Sequence, residues 1–253
     1  AYRFLGLHLL SERGRKIRSL MVLSAKPEQG STSTVTNLGI TLAQAGYRVV
    51  IVDANTRAPE VHQVFELEND LGLTDILSHF SPDLVWRALT PTTTPNLRVI
   101  PSGSPCRNPW QLFRSRNLVD FTNCLLERAD YVLWDTPSAV AFTDALNLSP
   151  VVDAAYLCVR ALEPPSGSEQ RLISMLEEEG VSVLGSVVSD LPASVLESYE
   201  NYQRYYPELP VGYTNGRAPA VVEAGEGNWI EVAPGGAGTA LIADDEEDET
   251  TSA

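Results

Sequence analysis

The sequence predicts an α/β domain with a doubly wound, mostly parallel sheet, followed by a disordered C-terminal tail. Three observations predict it. Short apolar runs recur up to about Tyr206, with helical stretches between them. Several runs (VVIV, YVLW, YLCV) are apolar on both parities, as strands buried on both faces should be. Beyond about Pro207 the pattern stops, Gly, Pro and Ala become frequent, and the chain ends in ADDEEDETTSA.

The elements follow in order. The first residues read as a helix, followed by the basic run RGRKIR at Arg13–Arg18. Strands are expected at about Ser19–Ser24, Arg48–Asp53, Leu97–Pro101, Tyr131–Asp135, Ala155–Val159 and Val183–Val188. Helices are expected at about Thr32–Ala45, Pro109–Glu127, Pro164–Glu179 and Ala193–Arg204. In the first, Val35, Leu38, Leu42 and Ala45 share a face, and Gly46 supplies the left-handed stop. Alternating strand and helix gives parallel strands covered on both sides. Ligands of such sheets sit at the carboxyl ends of the strands.

Composition narrows the function. The chain has 253 residues, 43% of them hydrophobic, enough for one sizeable core. A net charge of −15 argues against a nucleic-acid-binding face. From Gly216 onward nine acids, from Glu223 to Glu249, stand against the single base Arg217, so the body is only mildly acidic. Such a tail buries too little apolar area to offset its ordering entropy. Its one apolar island, WIEV at Trp229–Val232, is read as bland, with a docking peptide as the other reading. Cys106, Cys124 and Cys158 form no CxxC pair, which suits a reducing compartment and neither a disulfide framework nor a zinc site. No run reaches the ~18–20 apolar residues of a membrane span. No signal peptide is visible, but the chain opens at Ala1 within a helical pattern, so an upstream segment stays open.

The stretch SAKPEQGSTST, Ser24–Thr34, lies between an apolar strand and a helix, where a phosphate-binding loop would lie. In such a loop glycines admit backbone N–H groups to the phosphates, a lysine bridges the terminal phosphates, and the next hydroxyl holds Mg²⁺. Gly30 is present, and Thr32 and Ser33 supply hydroxyls, but Ser31 stands in the lysine position. Two further strands end in acids, Asp53 in VDANTRAP and Asp135 in DYVLWDTPSA.

With these residues the chain resembles the bacterial tyrosine kinases of capsule and exopolysaccharide synthesis (CpsD/CapB/Wzc type), within the MinD/ParA-like P-loop ATPases. The resemblance runs from Ala1 to about Tyr206. AYRFLGLHL looks like the family's N-terminal helix. The span from SAKPEQGSTST through VDANTRAPEVHQVF is similar to its phosphate loop and DAD segment. NDLGLTDIL, LRVIPSGSPCRNPWQLFRS and DYVLWDTPSAVAFTDALNLSPVVDAAYLCVRA match three further motifs in order. The HRD and DFG clusters of eukaryotic-type kinases are absent.

The resemblance implies ATP and Mg²⁺ as cofactors of an active member. It places nucleotide contacts at Lys26, Gly30, Ser31, Thr32, Ser33, Arg57 and Ser189, and metal contacts at Thr32, Asp53 and Asp135. Asp53 and Asp135 are the catalytic acids, Asp53 assisting deprotonation of the attacking tyrosine. Tyr199, Tyr202, Tyr205 and Tyr206 match the tyrosine-rich end where the family is phosphorylated. Implied partners are a membrane-embedded polysaccharide chain-length (co-polymerase) activator, a homo-oligomer or an active kinase paralogue. The implied location is cytoplasmic, at the inner face of the membrane through a partner or an upstream segment. RGRKIR is a solvated loop or a contact for anionic lipid or that partner.

The departures cluster where the family handles nucleotide. Ser31 removes a charge-assisted contact worth roughly 1.5–3 kcal/mol, about 10–150-fold in affinity. Glu28 replaces a loop glycine, Asn55 the second acid of DAD, Ser189 a base-contacting asparagine, and Gly6 an N-terminal arginine tied to ring assembly. Lys26 falls where ParA/MinD ATPases carry an extra phosphate-reaching lysine. Three readings stay open: a degenerate regulator with weak or lost ATP binding, an autokinase using Lys26 in place of the missing lysine, and a positioning ATPase. The expected organisation is a kinase-like domain at 1–206, with an N-terminal segment at 1–18 and a tyrosine-rich end at 193–206, then the tail at 207–253.

Overall fold

The strand β1 (Ser19–Ser24) is buried at every residue and lies inside a seven-stranded sheet of order β3-β4-β2-β5-β1-β6-β7. The other strands are β2 (Val49–Asp53), β3 (Thr90–Pro91), β4 (Leu97–Ile100), β5 (Tyr131–Asp135), β6 (Ala154–Arg160) and β7 (Ser182–Ser189). All pairings are parallel except the short β3–β4 pair at one edge. This computed structural model describes residues 2–11, 17–138, 143–161, 163 and 167–191. The helix expected at Ala193–Arg204, the four candidate tyrosines, WIEV and the tail lie outside the described residues, as do Arg13–Lys16.

Helix α2 (Ser31–Gln44) packs on β1, β2 and β5, and α1 (Tyr2–Ser11) packs on α2. Val35, Leu38 and Leu42 enter a core shared with Val22, Ile51, Leu133 and Tyr156. A Cβ on Gly39 would come within 2.6 Å of Ile51 Cδ1, so the helix lies close on the sheet. Ala45 is exposed instead of sharing that face, because the helix ends at Gln44 and Ala45 forms its C-cap. Gly46, at φ 92°, makes the expected stop. Elsewhere Trp134 is fully buried, edge-on to Phe121 at 6.0 Å, and its indole N–H donates to Ser19 Oγ at 2.9 Å.

One helix expectation needs correction. The stretch expected as one helix at Pro109–Glu127 is two, α6 (Pro109–Phe113) and α7 (Arg116–Leu126). Ser115 is extended at φ −75°, ψ 153°, and its hydroxyl donates to Leu112 O at 2.6 Å. A serine that satisfies a backbone carbonyl in this way competes with helix continuation. Of the helix expected at Pro164–Glu179, the described part is α8 (Ser168–Glu178), with Gly167 as its N-cap at φ 73°. The short helices α3 (Val61–Val64), α4 (Leu73–Ser78) and α5 (Pro82–Ala88), and a 3₁₀ stretch at Thr143–Val151, were not anticipated.

The motif NDLGLTDIL and the segment PSGSP lock together. Asp75 Oδ2 accepts the N–H groups of Gly72 (2.9 Å) and Ser104 (3.1 Å), and Asn69 Oδ1 accepts that of Gly103 (2.8 Å). A Cβ at Gly72 would lie 2.2 Å from Pro101 O, so only glycine fits. The basic run ends in a structural residue. Arg18 donates to the carbonyls of Leu126, Ala129 and Asp130 at the end of α7.

Candidate functional site

The turn from β1 to α2 lies at the carboxyl edge of the sheet. Ser24 Oγ donates to Lys26 O at 2.7 Å, and the buried Gln29 accepts the Lys26 N–H at 3.0 Å through Oε1. Gly30, at φ 86°, is the N-cap of α2, and no side chain caps that helix. The leading amides of such a helix lack intrahelical partners and can face an anion. Glu28 adopts φ 59°, a left-handed conformation that costs a non-glycine residue about 1–2 kcal/mol. Glycine would take this path without that cost. Beneath the loop, burial pushes the Cys158 thiol up to about 11, so it stays protonated and inert.

Asp53 and Asp135 end adjacent strands and pair in register. Both are fully buried. Asp53 accepts the N–H groups of Asn55 (3.1 Å) and Val61 (3.2 Å), while Asp135 Oδ2 accepts from Thr32 Oγ1 at 2.8 Å. Asp135 Oδ1 is buried without a hydrogen-bond partner. Burial raises Asp53 to about 7; burial, followed by the neighbouring Asp53 charge, raises Asp135 well above the usual carboxylate range. Two carboxylates this close share a proton or neutralise a cation. Among the described residues no three His, Cys, Asp or Glu side chains converge on one point. Two acids and the Thr32 hydroxyl suit Mg²⁺, which keeps waters and takes phosphate oxygens for its remaining ligands.

The other half of the site is built differently. Lys26 Nζ pairs with Glu163 Oε2 at 2.8 Å and lies 3.9 Å from Glu169 Oε1. Gln29 Nε2 donates to the same Glu163 oxygen at 3.2 Å. Hydrogen bonding to Glu163 raises the Lys26 pKa, and the same bond lowers that of Glu163. Ser189, at the end of β7, lies against the loop, its Oγ 3.4 Å from Gln29 O and 3.3 Å from Val159 O. Ser31 and Thr32 are half-buried, Ser33 is exposed, and Arg57 is exposed in the turn after β2.

The fold therefore gathers Lys26, Gly30, Ser31, Thr32, Ser33, Asp53, Asp135 and Ser189 at the carboxyl ends of β1, β2, β5, β6 and β7. His8 instead joins α1 to the sheet, its Nδ1 2.8 Å from the Tyr156 hydroxyl. The sequence reading missed Gln29, Glu163 and Glu169. Glu163 stands 137 positions from Lys26 in a connecting segment, and nothing local marks it as a partner.

A parallel sheet with a strand–turn–helix unit at β1–α2 and paired strand-end acids is the fold shared with MinD. MinD of Pyrococcus horikoshii, solved with Mg-ADP, superposes with a TM-score of 0.57 at 20% identity, over 72% of this chain and 76% of that one, which supports the fold alone. No protein-family model matches the sequence. The tyrosine-protein kinase CpsD of Streptococcus pneumoniae is 33% identical over 183 residues, 72% of this chain and 80% of its own. The tyrosine-protein kinase YwqD of Bacillus subtilis is 30% identical over 188 residues, 74% and 78% of the two chains. The chimerical protein CapA2B2 superposes with a TM-score of 0.72 at 27% identity, over 76% of this chain and 84% of that one. The chain belongs to the CpsD/CapB-type bacterial tyrosine kinases.

Proposed function

We propose that this chain is a degenerate tyrosine-kinase-like protein, a regulator or scaffold of exopolysaccharide or capsule synthesis and export, that binds nucleotide weakly or not at all. The observation that carries the reading is the state of the loop. Its lysine position is Ser31, and its remaining lysine, Lys26, is paired with Glu163. A triphosphate needs fixed cations as well as helix amides. The kinase-like domain at 1–206 and the tail at 207–253 would then serve contacts with partners. These are a membrane-embedded co-polymerase, further copies of the chain, or an active paralogue that phosphorylates Tyr199, Tyr202, Tyr205 and Tyr206. Its place would be the inner face of the membrane. No helix of the described residues is long and apolar enough to cross one.

A second reading has its own support in the acid pair. Thr32 donates to Asp135, and Asp135 pairs in register with Asp53, an arrangement that supports an autokinase reading. Bound ATP with Mg²⁺ would supply the phosphoryl group. Asp53 would then take the tyrosine proton, and Lys26, released from Glu163, would face the phosphates with Gly30, Ser33, Arg57 and Ser189 around them. Thermal shift with ATP·Mg²⁺ separates the two. No rise for the natural chain and a rise for Glu28→Gly/Ser31→Lys favour the degenerate reading. A rise of several degrees that Lys26→Ala abolishes favours the kinase.

A further inference from the structure

Glu163, between β6 and α8, reaches the phosphate loop and holds it from the side. Glu163 Oε2 accepts from two loop donors, Lys26 Nζ at 2.8 Å and Gln29 Nε2 at 3.2 Å. Gln29 is pinned from its other end, since its Oε1 accepts the Lys26 N–H at 3.0 Å. Arg160 stands behind, with Nη1 3.9 Å from Glu163 Oε1, and the Glu163 N–H donates to Arg160 O at 3.3 Å. Glu169, in the first turn of α8, lies 3.9 Å from Lys26 Nζ. The loop side chains that could grip an anion thus already grip one that belongs to the chain.

We infer that Glu163 is an autoinhibitory latch, an internal carboxylate that ties up Lys26 and Gln29 and must let go before a polyphosphate can enter the loop. This deepens the proposed function and rests on reading the loop as a weakened nucleotide site. Carboxylate and phosphate oxygens are interchangeable acceptors for an ammonium and an amide. The latch has the advantage of being tethered, so it competes at high effective concentration. Its negative charge also stands where an incoming polyanion would bring more. Release would free Lys26 and, with it, the joint between the loop and the end of β6. Anything that draws Glu163 away would then switch the site on.

The test is calorimetric titration of the full chain with ATP·Mg²⁺ and, separately, with tripolyphosphate. Glu163→Gln keeps the shape and an acceptor but removes the charge. It should tighten both ligands about fivefold to tenfold over the natural chain. Lys26→Ala/Glu163→Gln should lose that gain. Unchanged or weaker binding in Glu163→Gln overturns the latch, and so does undetectable binding in every variant, which leaves the degenerate reading standing. Micromolar binding by the natural chain overturns the degenerate reading instead, while the Glu163→Gln ratio still decides the latch. An unaltered melting temperature in Glu163→Gln shows that the fold is intact.

Discussion

The acid pair and the β1–α2 turn are two halves of the candidate site, built from different material. Asp53 and Asp135 close buried strands, and their carboxylates lie inside the core. Lys26, Glu28 and Ser33 line a turn that is half-buried or exposed. A change at a strand end disturbs the core, because each acid also satisfies neighbouring donors: Asn55 and Val61 N–H for Asp53, and the Thr32 hydroxyl for Asp135. A change in the turn disturbs little beyond the ligand. On the proposed degenerate reading, the turn is free to vary while the acids persist for structural reasons. Intact acids are thus weak evidence of activity, and the loop decides whether nucleotide is held.

The contrast can be broken first at the loop. Glu28→Gly/Ser31→Lys should restore the missing phosphate contact and raise ATP·Mg²⁺ affinity by roughly 10–150-fold, measured by calorimetry. No gain would mean that the loop path itself is unfit for phosphate.

The acid half should show itself in the pH dependence of stability. Asp53 ionises near 7 in the folded chain but near the ordinary carboxylate value when unfolded. Between about pH 4 and 7 the folded state therefore holds a proton that the unfolded state has released. Stability should fall as pH rises through that window and level off above it. In metal-free buffer the loss should be roughly 4 kcal/mol, about 8–16 °C in melting temperature. Asp135→Asn, which can keep the bond to Thr32, should flatten the slope.

Smaller effects sharpen the difference. Glu28→Gly alone should stabilise the chain by about 1 kcal/mol in denaturant unfolding, because it relieves the left-handed strain. Lys26→Ala should move the melting temperature by no more than about 2 °C, as a partly exposed ion pair contributes little to folding.

Much of this was legible in the sequence, for identifiable reasons. Runs such as VVIV and YVLW announced buried parallel strands, and their terminal acids announced the carboxyl edge. Gly46 marked a helix end correctly because left-handed backbone has a residue signature. The break at Ser115 was hidden, since a serine within an apolar periodicity gives no sign that its hydroxyl will turn back on Leu112 O. The Glu163 contact was hidden more deeply. It joins segments 137 positions apart, and charge pairing over that span depends on the folded register. Glu28 was visible as a departure from glycine, but only the backbone angle shows that it takes a left-handed conformation.

The most direct measurement is calorimetric titration of the natural chain with ATP·Mg²⁺, beside Lys26→Ala. A weakened loop should give no saturable binding, or binding only at millimolar nucleotide, with little change on removing Lys26. Micromolar binding that Lys26→Ala abolishes would refute the degenerate reading and make the chain a working kinase.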